Sequence, residues 1–172
     1  MNRKSEIGFI LIELVTTLVL IGVIGAFAGL FLYNGINGFL VSKRNSEIAL
    51  KTQITMDRIS AELRDIKSSP APTFTSKSIS YESKTLPYSR VLQFETVGNV
   101  PGIYLSVNNV KNILLDGVDI ANSGITPIAT NNLDHSADNS KEISAIKVNF
   151  RLIEPNLNFE VSIYPRSLIT VP

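Results

Sequence analysis

Gly8-Phe9-Ile10-Leu11-Ile12-Glu13-Leu14 opens an apolar run of about 25 residues, 9–33, and sets one carboxylate, Glu13, near its front. At about 1.5 Å per residue a helix of that length covers a hydrocarbon core of about 30 Å. An ionised acid at the centre of such a helix costs roughly 2.5–3.5 kcal/mol on insertion scales, so Glu13 needs a cationic mate. Behind this run stands a short basic head, Met1-Asn2-Arg3-Lys4.

Gly8, then Phe9, a run of aliphatics and Glu13 as the fifth residue after the glycine resembles the processing signature of type IV prepilins and the pseudopilins of type II secretion. The resemblance covers the front of the chain, roughly 8–25. It implies that a membrane peptidase cuts after Gly8, that Phe9 becomes the N-methylated first residue, and that Glu13 pairs with the N-terminal amine of a neighbouring subunit. Electrostatics agrees with this, because the amine exists only after the cut, and would supply the cation that Glu13 requires in a water-poor place.

Two other readings of the same stretch remain open. Ala26-Phe27-Ala28 before Gly29 fits a conventional signal-peptide cleavage site, which would release a secreted soluble protein. Apolar character nevertheless continues through Leu30, Phe31, Leu32 and Tyr33, where a signal peptide turns polar. The second is an uncleaved signal anchor carrying a periplasmic binding domain. The mature chain begins at Phe9, Gly29 or Met1 respectively.

At 172 residues the chain suits one modest domain plus an appendage. Mean hydropathy is +0.19, yet the part beyond Lys67 is rich in Ser, Asn, Thr and Pro, so the apolarity sits in one segment. A net charge of +1 with scattered Lys and Arg gives no basic stripe, and no nucleic-acid partner is expected. Cysteine is absent, which excludes disulfides, thiolate metal sites and Cys nucleophiles. Many major pilins close a C-terminal loop with a disulfide; this departure favours a minor pilin or pseudopilin.

Gly22, Gly25 and Gly29 lie inside the span and Gly35 and Gly38 follow it; each costs a helix about 1 kcal/mol relative to alanine. Gly25 and Gly29 supply a GxxxG packing face. In pilin filaments part of this region loses helical order near a proline; here that proline is missing, with Leu30 in its approximate place, and the sequence leaves open whether 22–38 melts on assembly. Beyond Phe39, Ala49, Thr52, Met56, Ile59, Leu63 and Ile66 recur at spacings of three and four, one stripe for packing on a folded domain. Arg58, Glu62, Arg64 and Asp65 read as a solvated face, and Leu50 and Ile54 lie off the stripe, free to meet a neighbouring subunit's helix. Residues 53–64 are similar to the helix of J-type pseudopilins and MSHA-type minor pilins, whereas K-type pseudopilins usually lack the glutamate that Glu13 provides.

Ser68-Ser69-Pro70-Ala71-Pro72 should end the helix. The period then changes to two. Ile79 with Tyr81, Leu92 with Phe94, Ile103 with Leu105 and Val107, and Ile113 with Leu115 predict strands parted by Pro87, Gly98, Pro101-Gly102 and Asp116-Gly117. Ile146, Val148, Phe150 and Leu152, then Leu157, Phe159, Val161 and Ile163 after a Glu154-Pro155-Asn156 turn, predict an antiparallel hairpin lying on the helix stripe. Residues 121–141 read as a long polar loop.

That loop carries the only histidine, His135, and one histidine without cysteines is too few ligands for zinc. Asp134, Ser136 and Asp138 alternate like the opening of a calcium loop, but its glycine and terminal bidentate Glu are missing, and Glu142 falls too early. Some pseudopilins bind calcium in such loops, so a calcium effect would be sought at Asp134 and Asp138; otherwise no cofactor is expected. No Gly-x-Ser-x-Gly and no phosphate-cradling loop occur, and an enzyme is not expected.

The expectation is an α+β protein: a long N-terminal helix, transmembrane in its first half and amphipathic in its second, packed on a small antiparallel β-sheet head. Its divisions are a leader at 1–8, a membrane and filament-core helix at 9–33, an amphipathic half at 34–68, a linker at 69–76 and the head at 77–172. The resemblance implies a single-pass inner-membrane subunit, N-terminus cytoplasmic and head periplasmic, whose partners are prepilin peptidase, membrane lipid and then other pilin or pseudopilin subunits in a pilus or secretion filament.

Overall fold

No proline occurs before Pro70, and aliphatic residues dominate the front of the chain, so nothing interrupts helix formation there. In the computed structural model, which describes residues 11–131, 133, 141–167 and 169, one helix of 54 residues results, α1 (Leu11–Arg64). The chain divides into two compact units, Met1–Glu47 and Ile48–Pro172. Within the first unit α1 is helical through all five glycines from Gly22 to Gly38.

Among the described residues the second unit holds the last turns of α1 and eight strands. A five-stranded antiparallel sheet runs β1 (Thr73–Phe74), β2 (Ser78–Glu82), β3 (Ser89–Val97), β4 (Val100–Val107) and β5 (Val110–Asp116), each strand beside the next. A three-stranded antiparallel sheet follows, β6 (Gly124–Asn131), β7 (Lys141–Arg151) and β8 (Asn158–Ile163), with β7 in the middle. The protein is therefore α+β, a long N-terminal apolar helix followed by antiparallel sheets that pack on its C-terminal turns. One core joins Ile59, Leu63 and Ile66 to Ile79, Leu92 and Ile103 of the first sheet and Ile146, Val148 and Phe150 of the second.

Each strand pattern has a local cause. The predicted alternation in β7 holds, with Ile146, Val148 and Phe150 buried and Lys147, Asn149 and Arg151 half-exposed between them. β3 and β4 join through Gly98-Asn99 (φ 54° and 69°), β4 and β5 through Asn108-Asn109 (φ 49° and 64°). Both turns are two-residue loops with left-handed backbone, the conformation that Gly and Asn adopt most cheaply and that matches strand twist.

Four expectations need correction. Pro101-Gly102 does not separate two strands but lies inside β4, opposite Thr96 and Glu95. A register shift at Ile103/Tyr104 brings the β5 backbone so close to Gly102 that a Cβ there would stand 2.4 Å from the Leu115 carbonyl oxygen. The stretch 121–141 is not all loop, since β6 pairs with β7 from Gly124 to Asn131. Pro127 is tolerated because β6 is an edge strand. The helix stops at Arg64, before the prolines, because Ile66 bridges Ser83, and the Lys67 amide donates to the Glu82 carbonyl at 2.8 Å. The stripe shifts as well: Ala49 is exposed, and Ile48 packs against the core in its place.

A lysine ties the two sheets together. Lys77, just before β2, donates to the carbonyls of Ile120 and Ser123 at 2.5 Å each and of Ala121 at 3.1 Å. These carbonyls belong to the turn that leads into β6, and the Ile125 amide of β6 donates back to the Ser76 carbonyl at 3.0 Å.

Candidate functional site

The first candidate is the apolar front of α1. Every described residue from Leu11 to Glu47 is exposed, and these include Leu11 (82%), Phe31 (83%) and Phe27 (69%). A Leu, Ile, Val or Phe side chain left in water forgoes about 1.5–3 kcal/mol of burial, and this helix carries more than a dozen. Such a surface requires lipid or protein around it. The helix is long and apolar enough to cross a membrane or act as a signal anchor, with mean hydropathy 2.4 in its most apolar window.

Its few polar groups are suited to that medium. The Thr16 hydroxyl donates to the Ile12 carbonyl at 2.7 Å and the Thr17 hydroxyl to the Leu14 carbonyl at 2.9 Å, so neither depends on water. Glu13 lies three and four residues before them, and the three form one polar face. Residues 11–42 contain no Lys, Arg or His, so the counter-charge for Glu13 must come from outside this stretch. At Gly22, Gly25 and Gly29 an added Cβ would meet nothing within 4 Å, which leaves a low, open track along the helix.

Gly8 and Phe9 lie outside the described residues, as do Asp134, His135, Ser136 and Asp138. Among the described residues no three His, Cys, Asp or Glu side chains group as metal ligands. Leu50 and Ile54 are exposed at 63% and 60%, off the packed stripe as their spacing implied.

The sequence reading missed a second cluster. Glu62, assigned there to a solvated face, is 6% exposed and is bonded on three sides. Arg90 of β3, itself 5% exposed, donates from Nη1 to both Glu62 oxygens at 3.0 and 2.8 Å. The Tyr81 hydroxyl of β2 donates to Oε2 at 3.0 Å, and Arg58 approaches Oε1 at 2.7 Å. Burial first, and the adjacent Glu62 charge second, push the Tyr81 phenol far above its ordinary value. The available signal was positional: Thr55, Ile59, Glu62 and Ile66 recur at spacings of four, three and four, a second row of the buried stripe.

One turn further on, Asp65 Oδ2 accepts from the Ser83 hydroxyl at 2.5 Å, the Thr85 hydroxyl at 2.7 Å and the Thr85 amide at 3.1 Å. The Ser83 bond, then that of Thr85, hold its carboxyl below the usual range. Together these contacts clamp the last turn of α1 onto β2 and the segment after it.

No family model, no curated protein and no solved structure matches this chain. The architecture is pilin-like: one long N-terminal apolar helix, antiparallel sheets after it, and a folded unit built around the helix's own last turns.

Proposed function

We propose that the chain is a minor pilin or pseudopilin, a subunit of a type IV pilus or a type II secretion filament, processed after Gly8 and assembled through its N-terminal helix. The observation that carries this reading is the exposed apolar face of α1, interrupted by a single carboxylate and continuous in sequence with turns that are packed into a folded unit. A plain membrane anchor needs the apolar face but gains nothing from Glu13.

The work is mechanical. Before assembly the apolar helix sits in the inner membrane with the folded unit in the periplasm. On assembly it exchanges lipid for the side chains of neighbouring helices. That exchange carries little hydrophobic driving force, so close packing and polar pairing decide it. Glycines 25 and 29 allow helices to approach, and the Glu13 carboxylate penalises every register in which it faces no cation. The N-terminal amine of Phe9 on an adjoining subunit, created by cleavage, is the cation that fits.

Expression with and without a prepilin peptidase tests the reading. The expected result is a mass shift that places the mature N-terminus at Phe9, N-methylated, only when the peptidase is present. A chain beginning at Gly29, or one that keeps Met1 beside an active peptidase, would replace this function with secretion or with simple anchoring.

A further inference from the structure

A cleft of about 400 Å³ opens beside the last two turns of α1, between the helix, the segment after β2 and the chain after β8. Arg58 and Arg64 come from the helix and Arg166 from the C-terminal segment, so three arginines from two parts of the chain line one concavity. Ala61, one turn from both helical arginines, keeps the floor low, and Leu86 gives one apolar wall.

The cleft also contains two carboxylates, and both are already engaged. Glu62 serves Arg90, Tyr81 and Arg58, while Oδ2 of Asp65 accepts three bonds from Ser83 and Thr85. Among the described residues neither Arg64 nor Arg166 makes a side-chain hydrogen bond or a close ion pair, although the Arg166 charge lies near enough to Asp65 to help hold its carboxyl down. Capping of the helix end does not occupy them either. The carbonyls of Arg64 and Ile66 are taken by the Arg166 amide at 3.0 Å and the Ser167 hydroxyl at 2.6 Å. Arg58, Arg64, Arg166 and the buried Arg90 behind them thus outnumber the two carboxylates, Glu62 and Asp65, by two charges, and the local field favours an incoming anion.

We propose that this cleft is a binding site for a compact, multiply charged oxyanion, held by the forked guanidiniums of Arg64 and Arg166 with Arg58 at the rim. Planar forks match the oxygen pairs of phosphate and carboxylate groups, and the volume admits a molecule larger than a single phosphate. The site stands independently of filament assembly.

Calorimetric titration of the full chain in non-ionic detergent micelles tests it, with pyrophosphate and citrate as probes at constant ionic strength. Saturable binding is expected for at least one probe, and the stronger of the two tells whether phosphate or carboxylate oxygens fit better. Arg64→Gln and Arg166→Gln should each weaken it at least about tenfold. Ala61→Leu, at an exposed helical position, should block the floor without changing charge and with only a small loss of helix propensity, and Lys111→Gln, outside the cleft, should leave binding intact. Heats that match sodium chloride for both probes would overturn the site. So would binding that survives Ala61→Leu and the two arginine changes together.

Discussion

Glu62 and Arg90 show how a single pair of residues can hold a helix to a sheet. Both side chains are less than a tenth exposed, so the attraction between them is set against a large desolvation cost, and the pair is more sensitive to being broken than to being absent. Glu62→Gln should therefore destabilise the folded unit by about 3–5 kcal/mol, since it leaves the Arg90 charge buried without a counter-ion. Replacing both, Glu62→Leu with Arg90→Met, should cost less than either single change; urea unfolding of the full chain in detergent micelles measures the cycle. Arg58 is 53% exposed, and its bond to the same carboxylate is screened and worth little. Tyr81 adds a pH dependence. Its phenol stays protonated in the folded state above the pH, about 10, at which the unfolded chain ionises. Its contribution is complete below that pH and is lost as pH rises further, because unfolding then releases a proton. Tyr81→Phe should flatten the alkaline limb of the unfolding free energy plotted against pH while leaving its neutral region lower by about 1 kcal/mol.

At the level of helices and strands, Gly102 is the position where packing is least forgiving. The β-bulge beside it drives the Leu115 carbonyl into the space a side chain would fill, and backbone cannot step aside as a side-chain tip can. Gly102→Ala should cost about 1–3 kcal/mol and loosen β4 against β5, visible as faster amide exchange along both strands. That bulge also explains why the sequence misled there. Pro101-Gly102 has the composition of a turn, and only the pairing of β4 with β3 and β5 reveals it as strand. β6 was hidden for a related reason: an edge strand with Pro127 and one buried apolar residue, Ile125, has almost no alternation to read. β2, β3 and β7 were legible because each buries every second residue at some point along its length, and β8 because half-buried Phe159 and Val161 and buried Ile163 alternate with exposed polar residues. The helical stripe was legible through Ile59, Leu63 and Ile66. Glu62 was not, because a charged residue is read as solvated until its buried partner, 28 residues away in β3, is known.

For the whole molecule, the two ends of α1 obey different solvents. Its C-terminal turns are finished by their own sheets, with the carboxylates of Glu62 and Asp65 bonded to side chains of β2, β3 and the segment after β2. Its N-terminal turns leave every large apolar side chain exposed and one acid without a cation in the same stretch. The filament proposed for this chain would reconcile these, giving the apolar helix a protein interior and Glu13 the amine of the next subunit. In that proposal Glu13 selects the assembled register. Filament incorporation of Glu13→Ala, measured in the sheared pilus or pseudopilus fraction against its membrane pool, tests it most directly. The variant should be cleaved and stay in the membrane, with incorporation reduced at least about tenfold for the loss of one water-poor charge pair. Incorporation equal to that of the unaltered chain would contradict it.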